Sequence, residues 1–405
     1  MSKTPWEHRF SQRTQKMKGS AIRELLKLVE QPDVISFAGG LPAPDVFPIE
    51  ELRAAMDRVL TTKGPMALQY GSTEGYTPLR EMIARHSSRY GINVCADNIL
   101  ITSGSQQALD LLGKIFINRG DRVLVESPTY LGALQAWNAY GAEYVPVPSD
   151  ENGMNPDYLE EALRTGPKFM YVLPNFQNPT GVTIPLERRK KILELADRYG
   201  VPIVEDDPYG QLRFEGEHLP ALNVLDSQLR SGDATYLGNV IYLSTFSKIL
   251  APGLRLAWVI APSEVIRKLV LAKQGADLHT ATFNQVVAHE VGQHGFIDQH
   301  VQVIRKVYHE RRDVMLDSLE EHMPQGIKWT RPQGGLFLWI TCPNTINTDE
   351  LFKEAVAEKV AFVPGSGFHP NGGGTNTMRI NFSFPTPVQT NEGIARLSRV
   401  LRKHL

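Results

Sequence analysis

From about residue 98 onward, short apolar runs recur along the chain at residues 99–101, 123–125, 169–173, 201–205, 240–243 and 256–260. The segments between them carry apolar residues at helical spacing. Runs that do not alternate with polar residues belong to strands buried on both faces. The pattern therefore predicts an α/β fold, a large domain whose mostly parallel sheet is sandwiched by helices. Upstream, Ile22, Leu25, Leu26 and Val29 fall on one helical face behind Ser20, a residue placed to cap it, and a second helical pattern covers 50–60. The turn-rich stretch FAGGLPAPDVFP, residues 37–48, lies between the two. A helix over 265–272 and a longer helical region over 284–322 lead out of the layered part. Residues 328–405 then read as a smaller α+β domain with strands near 335–341 and 378–382. The expected division is 1–48, an amino-terminal arm and helix packing on the small domain and the pocket, 49–285, the large domain, and 286–405, the small carboxy-terminal domain.

Composition narrows the classes of function. A chain of 405 residues has room for two or more domains. Its 43 basic and 44 acidic residues leave a net charge of −1 with no long block of one sign, so no electrostatic footprint for nucleic acid or an anionic membrane exists. Two cysteines, Cys95 and Cys342, give no disulfide framework and fit a reducing compartment. The amino terminus is polar, and no apolar run approaches the roughly 20 residues of a spanning helix. The expectation is a soluble cytoplasmic protein whose partners are small molecules.

The candidate chemistry centres on STFSKILAPGLRLAW, residues 244–258. Lys248 falls in a loop at the end of a strand, where open α/β sheets hold ligands. A shielded lysine near other cations has a lowered pKa and attacks carbonyls as the free amine. Thr245 and Ser247 offer hydroxyls to a phosphate, and Arg255 a bidentate guanidinium. Taken alone, the segment also fits a solvated loop lysine.

Four other segments follow or end strands of the same sheet. In TSGSQQALD (102–110) a helix start exposes backbone amides beside Ser105, a phosphate cradle or an ordinary cap. In PNFQNPTG (174–181), Asn178 sits in a turn past a strand, able to reach a ring hydroxyl or a carboxylate. In EDDPYG (205–210), Asp206 is placed to pair with a protonated ring nitrogen, as an electron-sink cofactor requires, with Tyr209 on the same turn; the acids also fit helix capping. Arg379 opens the apolar strand MRINFS and suits a carboxylate clamp or a surface position. Tyr130 offers an aromatic face. No GxxxxGK[ST] loop, strand-to-helix GxGxxG turn or GxSxG elbow occurs, and the histidines lack the spacing that sets two ligands on one helix face. The stretch GSGFHPNGGG (365–374) reads as a flexible turn near the site mouth.

In this order, GSQQAL, Tyr130, NPTG, EDDPY, SKxxxPGLR and Arg379 resemble the fold type I aminotransferases that use pyridoxal 5'-phosphate, and the likeness covers the chain from about residue 20 to its end. The stretches IRELLKL, ISFAGGLPAP, LQYGSTEGY, KQGADLHT and TRPQGGLF are most similar to the 2-aminoadipate and kynurenine aminotransferase subgroup. The resemblance implies that Lys248 joins the cofactor and later carries the substrate's proton, that Asp206 holds the pyridine nitrogen protonated, and that Asn178 and Tyr209 bind the ring oxygen while Tyr130 stacks on the ring. It implies a phosphate site from Ser105, Gln106, Thr245, Ser247 and Arg255. Most relatives carry serine where Thr245 stands. By the same resemblance, Arg379, helped by Asn178, would grip the substrate carboxylate, and Gly39 and Gly40 would line the pocket. The resemblance also implies that Tyr70 reaches the phosphate of a neighbouring subunit, making a homodimer the unit, and that Arg23 reads a distal carboxylate, although by sequence alone it also fits a solvated helix arginine beside Glu24.

The expected function is a ping-pong transfer of the amino group of an L-amino acid, 2-aminoadipate, glutamate, aromatic or aliphatic, to 2-oxoglutarate. The alternatives are another enzyme on the same cofactor, such as a β-lyase or decarboxylase, or a regulatory binding protein.

Overall fold

The computed structural model describes residues 6–17, 33–230 and 236–405. In chain order the strands are β1 (Ile35–Ser36), β2 (Ile99–Thr102), β3 (Arg122–Ser127), β4 (Glu143–Asp150), β5 (Gly153–Met154), β6 (Met170–Val172), β7 (Ile203–Asp206), β8 (Val240–Thr245), β9 (Ala257–Ile260), β10 (Lys328–Trp329), β11 (Phe337–Thr341), β12 (Val360–Ala361), β13 (Val363–Pro364) and β14 (Thr377–Asn381). An eight-stranded sheet runs β2-β9-β8-β7-β6-β3-β4-β5. Its centre, β8-β7-β6-β3-β4, is parallel, while β9 is antiparallel to both β8 and β2, and β5 is antiparallel to β4.

Helices cover both faces, which is why these strands read as unbroken apolar runs: every residue of β2, β6, β7 and β9 is buried. On one face lie the helices Ser105–Phe116, Leu131–Asn138 and Ser263–Gln274, packed through Leu109, Leu112, Trp137, Ile266 and Leu269. On the other lie Pro156–Arg164 and Leu186–Tyr199, packed through Leu159, Leu163, Ile192 and Leu195. A second, four-stranded antiparallel sheet, β10-β11-β14-β13, packs with the helices Phe296–His322 and Pro387–Arg402. The helical region expected over 284–322 is two helices, Thr282–Gly292 and Phe296–His322, because Gly295 takes a left-handed φ of 78° and breaks the ladder between them. The expected helix near Ser20 lies outside the described residues.

The parallel order places the carboxyl ends of β3, β6, β7 and β8 side by side, so the loops that follow them meet. The segment after β1 reaches the same place from the other end of the chain. β1 pairs in parallel with β12, Asn381 donates its amide to the Phe37 carbonyl at 2.9 Å, and the Ser383 hydroxyl donates to the Leu41 carbonyl at 2.9 Å. Residues 35–41 are thereby strapped to the second sheet.

One buried acid at this edge gives a stability prediction. Glu126, the penultimate residue of β3, is fully buried and accepts the Leu173 amide at 3.0 Å. Burial, outweighing bonds from Leu173, Gln177 and Met154, pushes its pKa up to about 7. The unfolded chain releases this proton near the ordinary glutamate value and the native protein only near 7, so the stability it contributes is complete in acid and is lost as pH rises between the two. Glu126→Gln is expected to remove that part of the slope, about 3 kcal/mol over the window. Urea midpoints across that pH range check it; an unchanged slope would contradict the assignment.

Candidate active site

Thr245 ends β8, and Lys248 follows on the connection to β9. The Lys248 amine donates to the Gly40 carbonyl at 2.9 Å. Burial, then the charges of Arg379 and Arg255, bring its pKa down to about 8, which makes the free amine accessible near neutral pH.

Asp206 ends β7 with 2 % of its surface exposed. One carboxylate oxygen, Oδ2, accepts from the Tyr171 hydroxyl of β6 at 2.7 Å, whereas Oδ1 is buried without a partner among the described residues. Burial raises the acid to about 7, against the Tyr171 bond and with the neighbouring Asp207 adding to the rise. An acceptor left this way is costly until a donor reaches it, and a cationic N–H satisfies it best.

Across the cavity, Ser105 begins the helix Ser105–Phe116, and its hydroxyl is buried without a partner among the described residues. The preceding Gly104 has φ +90°, and a Cβ there would overlap the Arg255 guanidinium. Glycine thus lets the arginine close on the helix start, where unpaired amides already favour an anion. Thr245 Oγ1 lies 3.0 Å from the Leu256 carbonyl and 2.9 Å from Ser247 Oγ. The Gln106 side-chain amide donates to the Gly132 carbonyl at 2.8 Å.

The third wall is Arg379 of β14, 2 % exposed. Its Nη1 donates to Asn178 Oδ1 at 2.8 Å and its Nη2 to the Ala38 carbonyl at 2.7 Å, and its Nε has no partner. The guanidinium carbon stands 4.3 Å over the Phe337 ring and 5.3 Å over that of Phe368. Burial lowers its pKa to about 10, which leaves it charged at neutral pH. Burial also raises the phenols of Tyr130 and Tyr209.

Twelve of the residues singled out in the sequence line one cavity of about 290 Å³: Gly40, Ser105, Gln106, Tyr130, Asn178, Asp206, Tyr209, Thr245, Ser247, Lys248, Arg255 and Arg379. Gly39 is buried beside Gly40 but does not line it. Tyr70 stands apart, 79 % exposed, edge-on to His279 with ring centroids 5.7 Å apart. Arg23 lies outside the described residues. The cavity adds Leu173, Pro208, Pro252 and Phe337, which the sequence reading did not single out. Tyr171 was missed as well, though a phenol inside an apolar run signals a need for a buried partner. The GSGFHPNGGG stretch packs against the site wall: Thr129 donates its amide to the Phe368 carbonyl at 2.9 Å, and His369 Nδ1 lies 3.1 Å from Ser127 Oγ. Elsewhere, Glu215, His309 and Asp313 bring ligating atoms within 4.8 Å of one another, a grouping the scattered histidines did not foreshadow; Arg312 pairs with both carboxylates.

Residues 32–397 match the family described as aminotransferase class I and II. The chain belongs to that family. This aminotransferase is 48 % identical to the aromatic-amino-acid aminotransferase 1 of Thermococcus litoralis over 99 % of its own length and 95 % of the relative's. Among solved structures, the alpha-aminoadipate aminotransferase of Thermus thermophilus, complexed with N-(5'-phosphopyridoxyl)-L-leucine, is 43 % identical with a TM-score of 0.91, covering 99 % of both chains. The kynurenine aminotransferase of Pyrococcus horikoshii, in complex with PMP, is 46 % identical with a TM-score of 0.93, covering 99 % of this chain and 98 % of that one. The aminotransferase depends on pyridoxal 5'-phosphate, and its own residues fit that group. The unpartnered Asp206 oxygen matches a protonated ring nitrogen, the Ser105 hydroxyl and the Gly104–Arg255 cradle match a phosphate, and the Lys248 amine, its pKa lowered, lines the same cavity.

Proposed function

We propose that this aminotransferase moves the amino group of an L-amino acid to 2-oxoglutarate in a ping-pong cycle, and that acidic and aromatic donors share the one site. The observation that carries the reading is Arg379, buried, charged and held by Asn178 beside Lys248. A carboxylate docked on its fork has its orientation fixed in two dimensions, which turns one bond at the α-carbon toward the amine. The names of the relatives, for aromatic amino acids, alpha-aminoadipate and kynurenine, support the donor classes.

In this reading Ser105, Gln106, Thr245, Ser247 and Arg255 hold the phosphate, Asn178 and Tyr209 the ring oxygen, and Tyr130 the ring face. Bound pyridoxal phosphate supplies the carbonyl for amine exchange and an electron-withdrawing ring. Asp206 keeps the ring nitrogen protonated by standing as its buried counter-charge. Lys248 takes the proton from the substrate's α-carbon and later returns it, a general-base role suited to an amine whose pKa lies near neutrality. Gly40 closes the substrate side, and Arg23 is placed by the resemblance to read a distal carboxylate. Among the described residues no helix is long and apolar enough to cross a membrane. The reading places the enzyme in the cytoplasm as a homodimer, with Leu68, Tyr70 and Leu278, 72, 79 and 50 % exposed, at the interface and Tyr70 reaching the other subunit's phosphate.

The test is the absorption spectrum of the purified holoenzyme on adding L-2-aminoadipate and then 2-oxoglutarate. The visible band of the cofactor is expected to disappear and then return, with glutamate formed in proportion to keto acid. A band that never responds to any amino acid, or release of carbon dioxide or an eliminated side chain instead of glutamate, would overturn transfer. Arg379→Lys is expected to raise KM for every donor by about 10²-fold, the scale of losing a bidentate charged contact, with a smaller effect on kcat. Steady-state kinetics with two donors checks it; a loss confined to acidic donors would place the distal carboxylate, not the α-carboxylate, on Arg379.

A further inference from the structure

The stretch KQGADLHT, residues 273–280, lines no part of the cavity described above, yet it contains the most deeply buried lysine of the described residues. Lys273 lies in the last turn of the helix Ser263–Gln274 with none of its surface exposed. Its ammonium donates to Asp277 Oδ1 and Oδ2, both at 2.8 Å, and to Gln107 Oε1 at 2.7 Å. Asp277 Oδ2 also accepts from the Gln107 side-chain amide at 2.6 Å and from the Ser103 hydroxyl at 3.0 Å. A lysine serving only the helix dipole does so from the surface, without the desolvation this one undergoes. Its burial needs another explanation.

That explanation lies one residue from the cofactor cavity. Every polar group of Ser103 is held: the amide by Gln107 Oε1 at 2.8 Å, the hydroxyl by Asp277 and by Thr280 Oγ1 at 3.1 Å, and the carbonyl by Arg255 Nη2 at 3.5 Å. Gly104 and Ser105 follow at once, Gly104 against the Arg255 guanidinium and Ser105 with its hydroxyl unpartnered. Lys273, Asp277, Gln107 and Ser103 themselves do not line the cavity.

We propose that Lys273 and Asp277 are positioning residues for the anion cradle: through Gln107 and Ser103 they fix where the Ser105 hydroxyl, the first helix amides and Arg255 stand, and so set the affinity for a phosphate monoester. The proposal rests on the reading that Ser105 and Arg255 receive the cofactor's phosphate. Its readout is ligand discrimination. Apo forms of the wild type, Lys273→Met, Lys273→Met with Asp277→Asn, and Ser105→Ala are titrated calorimetrically with pyridoxal 5'-phosphate, pyridoxal and inorganic phosphate. The double variant removes both charges together, so the fold is retained where the single change strips Asp277 of its counter-charge.

In the double variant, affinities for pyridoxal 5'-phosphate and inorganic phosphate are expected to fall about tenfold or more while that for pyridoxal stays within about twofold. An equal loss for pyridoxal and its phosphate, or a variant that binds phosphate like the wild type, overturns the proposal. If Ser105→Ala weakens phosphate binding and the Lys273 variants do not, only the proposal fails. If Ser105→Ala also leaves phosphate binding intact, the cradle reading itself falls.

Discussion

Lys248→Ala is expected to lower turnover by at least about 10⁴-fold, the upper range for removing a positioned proton-transfer group, while leaving the fold intact. Among the described residues the amine makes one polar contact, with the Gly40 carbonyl, so its removal leaves a single acceptor to be rehydrated through the cavity. In the proposed reading the chemistry, by contrast, loses the amine that both moves the α-proton and captures the aldehyde. Single-turnover spectra with a saturating amino acid check it, and a variant within tenfold of wild type would sink the assignment of Lys248. The same residue gives a pH prediction. Capture of pyridoxal 5'-phosphate by the apoenzyme needs the unprotonated amine, whose pKa is held near 8 by burial and by the Arg379 and Arg255 charges. The capture rate should rise with pH and reach half its plateau near that value. A midpoint near that of an ordinary lysine would mean that the amine is not shielded as described.

Asp206→Asn is expected to cost about 10²–10⁴-fold in kcat, the equivalent of the roughly 3–5 kcal/mol lost when one member of a buried charge pair is removed. The isosteric amide keeps the Tyr171 hydroxyl satisfied, so stability should change little. What disappears is the negative charge at Oδ1, and with it, in the proposed reading, the reason for a ring nitrogen to stay protonated. The decisive readout is a cofactor analogue whose ring nitrogen is permanently alkylated and therefore permanently charged. With that analogue the Asn variant should recover much of its deficit. Equal deficits with both cofactors would assign Asp206 a structural role.

The sequence made the central layer readable because its strands are buried on both faces, which leaves unbroken apolar runs such as residues 99–101 and 256–260. β4 escaped notice for the opposite reason: EYVPVPSD lies next to the sheet edge, half exposed and with two prolines, so it carries no such run. β1 and β12 are two residues each, and their pairing depends on a partner more than three hundred positions away, which no local pattern encodes. The lining of the cavity was legible because its side chains sit at the ends of strands or shortly after them. The parts that were not legible act through backbone or through a neighbour. The Ala38 carbonyl on Arg379 and the Gly40 carbonyl on Lys248 are invisible to side-chain reasoning, and Tyr171 was read as part of a strand.

The strap formed by residues 35–41 gives this enzyme a direction in time. During synthesis the cofactor layer, through β9, leaves the ribosome before β12 and β14 exist, and domains generally form as units in the order they emerge. Until the last strands arrive, the strap has no edge to join, Arg379 is absent, and the floor of the pocket is open. A nascent chain arrested after residue 285 should therefore hold Lys248, Asp206, Ser105 and Arg255, but lack the cavity wall that Arg379 supplies. Maturation ends when the two ends of the chain meet over the lysine.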